Sequence, residues 1–167
     1  CKMTQNLVSI NLLEFVVEII NYAAITTLLV ESPSLIKHDY PTLLNWTDNT
    51  TAQSWIRKAA TRTNKGKALQ RILCSIMLNN SIGVKADYIE GVNNTLADAI
   101  SRVFSSDSNT SSFVNLHQNF PELKYWKRFL PSQELLSHLY SALLQGQDPG
   151  IFQIKNLGHF VQDKVIF

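Results

Sequence analysis

The sequence predicts an α/β protein, on three observations. A long apolar helix pattern occupies the first thirty residues, two short strand-like runs follow it, and about forty residues of helical pattern separate those runs. A connection of that length fits a crossover between parallel strands rather than a hairpin turn. The order helix, strand, helix, helix, strand, helix therefore points to helices packed on a parallel sheet.

The first helix is "INLLEFVVEIINYAAITTLLV", 10–30. Asn11 is placed as its N-cap, with Glu14 three residues on completing a capping box. Leu12, Leu13, Phe15, Val16, Val17, Ile19 and Ile20 cover nearly every face, so burial on most sides is expected. Glu14, Glu18 and Asn21 interrupt the run and no basic stretch precedes it, which favours a buried helix over a membrane span. "TLLNWT", 42–47, reads as an interior strand whose end delivers Asp48.

Two helices follow, in "TAQSWIRKAA" and "NKGKALQRILCSIMLNN", the second with Leu69, Ile72, Leu73, Ile76 and Met77 at helical spacing. "NNSIG" stops it. In "VKADYIEG", 84–91, Val84, Ala86 and Tyr88 alternate against Lys85 and Asp87, the mark of a strand, and "NNTLADAISRVF" is the helix after it. Two strands alone are too few for a stable open sheet. The division is 1–104 for the α/β part, a Ser-rich linker "SSDSNTSS" at 105–112, and a helical tail over 113–167. In that tail Ser132 is the expected N-cap, with Leu135, Leu136, Leu139, Tyr140, Leu143 and Leu144 inward.

Bulk composition narrows the function classes. The 167 residues are 45% hydrophobic and 17% charged, a foldable globular balance that excludes a disordered or fibrous chain. A net charge of +2 is too small to mark a nucleic-acid binder, so any basic surface must be local. Cys1 and Cys74 are the only cysteines, which excludes a disulfide framework or a four-cysteine zinc site and favours an intracellular setting, cytoplasmic or nuclear. On that expectation the Asn-x-Ser/Thr sequons at Asn45, Asn49, Asn93 and Asn109 are accidental. The four histidines (His38, His117, His138, His159) are scattered, and neither a Gly-rich phosphate loop nor a nucleophile elbow occurs.

Three carboxylates fall where an α/β sheet collects ligands: Glu14 in the first turn of a helix, Asp48 at a strand end, Asp98 near the start of a later helix. Carboxylates gathered in a cleft call for a divalent cation, and hard oxygen donors select Mg²⁺ or Mn²⁺ over zinc. Each acid also has a structural reading, Glu14 and Asp48 as caps and Asp98 as a first-turn acid favoured by the helix dipole. Arg57, Lys58, Arg62, Lys65, Lys67 and Arg71 lie in 57–71 with no acid among them, directly after Trp55. They suit either a phosphate-gripping surface with a stacking aromatic or a solvated helix face.

"YIEGVNNTLADAISR" resembles the last motif of ribonuclease H domains of retrotransposon polyproteins, in which a Gly-ended strand leads into an Ala-Asp-Ala-x-Ser-Arg helix. "INLLEF" is similar to that family's Asn-x-x-Glu helix start, and "NWTDNTTAQSWI" to its strand-end Thr-Asp-Asn motif. The resemblance covers 8–104 and is nearest to DIRS-like and gypsy-like elements. It implies an incomplete ribonuclease-H-like fold, because the family's first aspartate and first three strands have no counterpart here, and so an N-terminally truncated domain lying downstream of a reverse-transcriptase segment. The family's mobile-loop histidine also has no counterpart between Asp48 and Asp98.

What the resemblance implies for activity is hydrolysis of the RNA strand of an RNA–DNA hybrid by two divalent ions about 4 Å apart. Glu14, Asp48 and Asp98 would be the ligands, and Asn49, Trp55, Arg57, Lys58, Arg62, Lys65, Lys67 and Arg71 would grip the hybrid by shape, with little sequence preference. With the first ligand absent, the chain by itself is expected to be weak or inactive. A non-catalytic binding module and a decayed relic are the alternatives, and no membrane partner is expected.

Overall fold

The computed structural model describes residues 8–35, 39–105, 118–121, 123, 127–147, 149–150 and 153–161. In chain order the elements are α1 (Ile10–Glu31), β1 (Thr42–Thr47), α2 (Thr50–Lys58), α3 (Asn64–Asn80), β2 (Gly83–Tyr88), α4 (Thr95–Ser105), β3 (Arg128–Pro131), α5 (Gln133–Tyr140) and β4 (Gly158–Val161). A π-helical turn, Ser141–Gln145, extends α5, and single 3-10 turns stand at Pro33–Leu35 and Gly91–Asn93. The chain divides into two compact units, 1–88 with 131–159, and 89–130 with 160–167.

In the first unit β1 and β2 pair in parallel, Thr42 opposite Gly83 through Thr47 opposite Tyr88. The two intervening helices make the connection, as the α/β pattern requires. Both ends of the crossover are fixed by local chemistry. Asn49 caps α2, its Oδ1 accepting from Ala52 N at 2.9 Å. Thr63 caps α3, its Oγ1 accepting from Gly66 N at 3.0 Å. Position 66 must be glycine, because a Cβ there would strike the Thr61 and Thr63 side chains.

α1 lies against this pair. Leu12, Phe15, Ile19, Tyr22, Ala23 and Thr26 are buried, at steps of three and four, and form its inner stripe. Leu43 of β1, Ala86 of β2, Ala52 and Ile56 of α2, and Leu69, Ile72, Leu73 and Ile76 of α3 complete the core. Each large aliphatic or aromatic side chain closed off here contributes about 1.5–3 kcal/mol.

The N-cap of α1 is Ser9, whose Oγ accepts from Leu12 N at 3.4 Å, and not Asn11. Asn11 sits inside the helix and bonds elsewhere. Nor is α1 covered on most sides: Ile10, Leu13, Val17, Leu28 and Val30 are exposed. By length and composition alone α1 could cross a membrane, but a third of its apolar window is buried within the protein. β1 likewise buries one face. Leu43 and Thr47 are buried and Asn45 is half-buried, whereas Thr42, Leu44 and Trp46 are exposed, so the strand is not interior. Among the described residues β1 pairs only with β2.

Residues 131–159, assigned from sequence to a separate tail, belong to the same unit as 1–88. α5 and the π-helical turn pack on α3, with Leu135, Leu139 and Ala142 buried. The apolar stripe read along this segment narrows accordingly, since Tyr140 and Leu144 are exposed. Ser132 caps α5 as expected, its Oγ accepting from Leu135 N at 3.0 Å and also donating to Asn156 O. Gly146 ends the turn at φ +63, close against Lys65 of α3. The tail also carries strand: β3 pairs with β4, and the Phe129 and Phe160 rings lie 5.3 Å apart.

In the second unit α4 follows the Gly91–Asn93 turn, and Asp98 N donates to Asn94 O at 3.1 Å. The Ser-rich linker beyond Ser105 lies outside the described residues.

Packing of α5 on α3 makes the tail part of the first unit's stability. Leu135→Ala should cost about 2–5 kcal/mol in urea unfolding followed by the fluorescence of Trp46 and Trp55. An unchanged midpoint would show that residues 131–159 fold apart from the α/β core.

Candidate functional site

The end of β1 and the first two turns of α1 bring polar side chains together over an otherwise apolar core. Glu14 and Glu18, four residues apart, share a face of α1, and Tyr22 continues the column one turn on. Tyr22 Oη donates to the carbonyl of Lys85 in β2 at 2.7 Å. Glu18, only 4% exposed, accepts from Asn45 Nδ2, which shares the inward face of β1 with the buried Thr47. Thr47 in turn accepts from Asn49 N at 3.2 Å, and Asn49 Nδ2 donates to Asn11 Oδ1 at 3.1 Å. Glu14 is half-buried and Asp48 exposed between these bonds.

The electrostatics follow from that crowding. Burial raises the pKa of Glu14 above the ordinary glutamate value, and the charge of Asp48 raises it further. Burial also raises Glu18, more than the hydrogen bonds from Asn45 and Thr47 lower it, and the charges of Glu14 and Asp48 add to the rise. Tyr22 is pushed up in the same direction, first by burial and then by Glu18. Three carboxyl groups therefore act on one another where α1 meets the end of β1.

Of the residues expected from sequence, the structure brings Glu14 and Asp48 together. Asp98 is exposed in the first turn of α4, in the other unit. Among the described residues no group of three or more His, Cys, Asp or Glu side chains is arranged to hold a metal ion.

The basic residues keep the spread the sequence gives them. Arg57 and Lys58 occupy the last turn of α2, where cations complement the helix dipole, and both are exposed. Arg62 is exposed before α3, and on α3 Lys67 and Arg71 are exposed and Lys65 half-buried. Trp55 is half-buried, its ring set edge-on to Phe15 of the core at 5.5 Å. Asn49 commits both polar ends of its side chain within the chain, to Ala52 N and to Asn11.

Sequence reading missed Glu18, Asn45 and Thr47. The available signal was the four-residue step from Glu14 to Glu18, which places both acids on one helix face. Compared with protein-family models, with curated proteins and with solved structures, the chain gives no match. What the fold itself establishes is the α/β class.

The raised carboxyl groups set the direction of a pH effect. A glutamate whose folded pKa lies above its unfolded value binds more protons when folded, so its contribution to stability is full at low pH and is lost as pH rises through the folded pKa. Stability should thus increase on going from pH 8 down toward the ordinary glutamate value of 4.5. Removing both carboxyl groups in Glu14→Gln/Glu18→Gln should flatten that part of the Tm–pH profile. A double variant that keeps the full slope would assign the effect to other groups.

Proposed function

We propose that this chain carries most of a ribonuclease-H-type site of a retroelement, which hydrolyses the RNA strand of an RNA–DNA hybrid with divalent cations. The observation that supports it best is the placement of Asp48 at the end of a parallel strand beside Glu14 in the adjoining helix, a strand-end carboxylate pair. The motif order Glu14, Asp48, Asp98 and the βαβ connection between β1 and β2 agree with that reading. On it, Asp98 in the first turn of α4 is the third carboxylate of the motif order.

Glu14 and Asp48 would hold Mg²⁺ or Mn²⁺, with Asp98 the further ligand that the resemblance implies, and such ions would supply an activated water and charge stabilisation at the scissile phosphate. The chain's own contribution is to present these oxygens, while burial and the charge of Asp48 disfavour the ionised form of Glu14. A cation offsets both costs, since opposite charge favours the ionised carboxyl. The exposed cations Arg57, Lys58, Arg62, Lys67 and Arg71 suit contacts to the phosphates of a hybrid, and such contacts position a duplex without reading its bases. RNA–DNA hybrid is then the partner, recognised through groove shape and 2′-hydroxyls.

In a protein extended through any coding sequence upstream of residue 1, Mg²⁺-dependent cleavage of a labelled hybrid should fall about 10²-fold or more in each of Glu14→Gln, Asp48→Asn and Asp98→Asn, the scale of losing one group that stabilises developing charge. Equal cleavage by all four proteins would overturn the assignment. Hybrid binding should weaken in Arg57→Ala/Lys58→Ala/Arg62→Ala, and the slope of log K against log salt should become shallower by about two to three. An unchanged slope would exclude this surface as the phosphate contact.

A further inference from the structure

Two hydrogen-bonded ties join α1 to the end of β1, and the carboxylate pair lies between them. Asn11 and Glu18 are seven residues apart, two helical turns, so both face the strand with Glu14 between them, about 10 Å end to end. At one end Asn11 Oδ1 accepts from Asn49 Nδ2 at 3.1 Å. At the other the Glu18 carboxylate accepts from Asn45 Nδ2. The Thr47 hydroxyl, two residues beyond Asn45 on the inward face of β1, accepts from Asn49 N at 3.2 Å. Asn49 Oδ1 then caps α2 through Ala52 N. Asp48, exposed between Thr47 and Asn49, is the residue that both ties bracket.

We propose that Glu18 and Asn11 are positioning residues, which clamp the end of β1 onto α1 through Asn45 and Asn49, with Thr47 bracing the turn between them, and so hold Asp48 near Glu14. Like charges on an exposed turn would otherwise move apart, and a cation site needs them together before the cation arrives. The consequence for metal binding rests on the ribonuclease-H-type reading; the clamp itself does not.

The test uses the whole 167-residue chain with Thr47→Val and Thr47→Ser, read by NMR amide hydrogen exchange and then by Mn²⁺ titration. Valine preserves the buried shape and removes the hydroxyl; serine restores the hydroxyl in a smaller side chain. The clamp predicts that Asn49 N–H exchanges about fivefold faster in Thr47→Val, the loss of one ordinary hydrogen bond, and at the wild-type rate in Thr47→Ser. The reverse order would mean that position 47 only fills space, and would overturn the proposal.

Asn11→Ala, at a half-buried helical position that alanine suits, gives a second reading. It should speed exchange at Asn49 and Ala52 with little change in global unfolding, and unchanged protection at both would also overturn the clamp. Mn²⁺ broadening at residues 14 and 48 that weakens in Thr47→Val supports both the clamp and the cation site. Lost protection in Thr47→Val with no broadening even in the wild type supports the clamp and rejects the cation reading.

Discussion

A carboxylate under a helix destabilises a fold unless donors reach it, and Glu18 is the place where this chain meets that constraint. Its bond from Asn45 gives the buried carboxylate a donor and at the same time fixes α1 in register with β1. Tyr22, one turn on, makes the matching bond to the backbone of β2 at Lys85. These contacts are directional in a way that the apolar stripe of Phe15 and Ile19 is not. The stripe supplies the larger free energy, but it would tolerate small slides of the helix along the sheet. The polar column selects one position, and with it the alignment of Glu14 and Asp48.

That alignment has an electrostatic cost which the site retains. Glu14 titrates high because it is partly desolvated and faces Asp48, and Glu18 beneath them adds a third negative charge. A site relaxed for stability alone would place a lysine or a neutral side chain at one of the three. A cation bound there would offset these charges, which is the electrostatic ground of the proposed metal-dependent reading.

Much of the architecture was legible in the sequence because it follows from local rules. The alternation in "VKADY", the helical spacing of Leu69, Ile72, Leu73 and Ile76, the cap at Ser132 and the crossover length each carry their own signal. What failed depended on partners distant in sequence. Asn11 looks like a cap until Asn49, thirty-eight residues away, is seen to take its side chain, and Ser9 does the capping instead. β1 looks interior by composition, yet Leu44 and Trp46 are exposed, because an apolar run does not reveal how many of its faces are covered. The tail looked separate behind its Ser-rich stretch, and only the packing of Leu135 and Leu139 on α3 shows where it belongs. Of the site, the sequence showed Glu14 and Asp48 as candidates, whereas Glu18 was hidden inside a helix read as apolar all round.

The claim that Glu14 and Asp48 were brought together to bind a cation can be tested without substrate. Crystals of the protein soaked in Mn²⁺ and measured at the manganese absorption edge should give an anomalous peak bonded to carboxylate oxygens of both Glu14 and Asp48, at roughly the 2.0–2.3 Å expected of a hard divalent ion. Manganese bound elsewhere, with the pair left empty at saturating metal, would contradict the account.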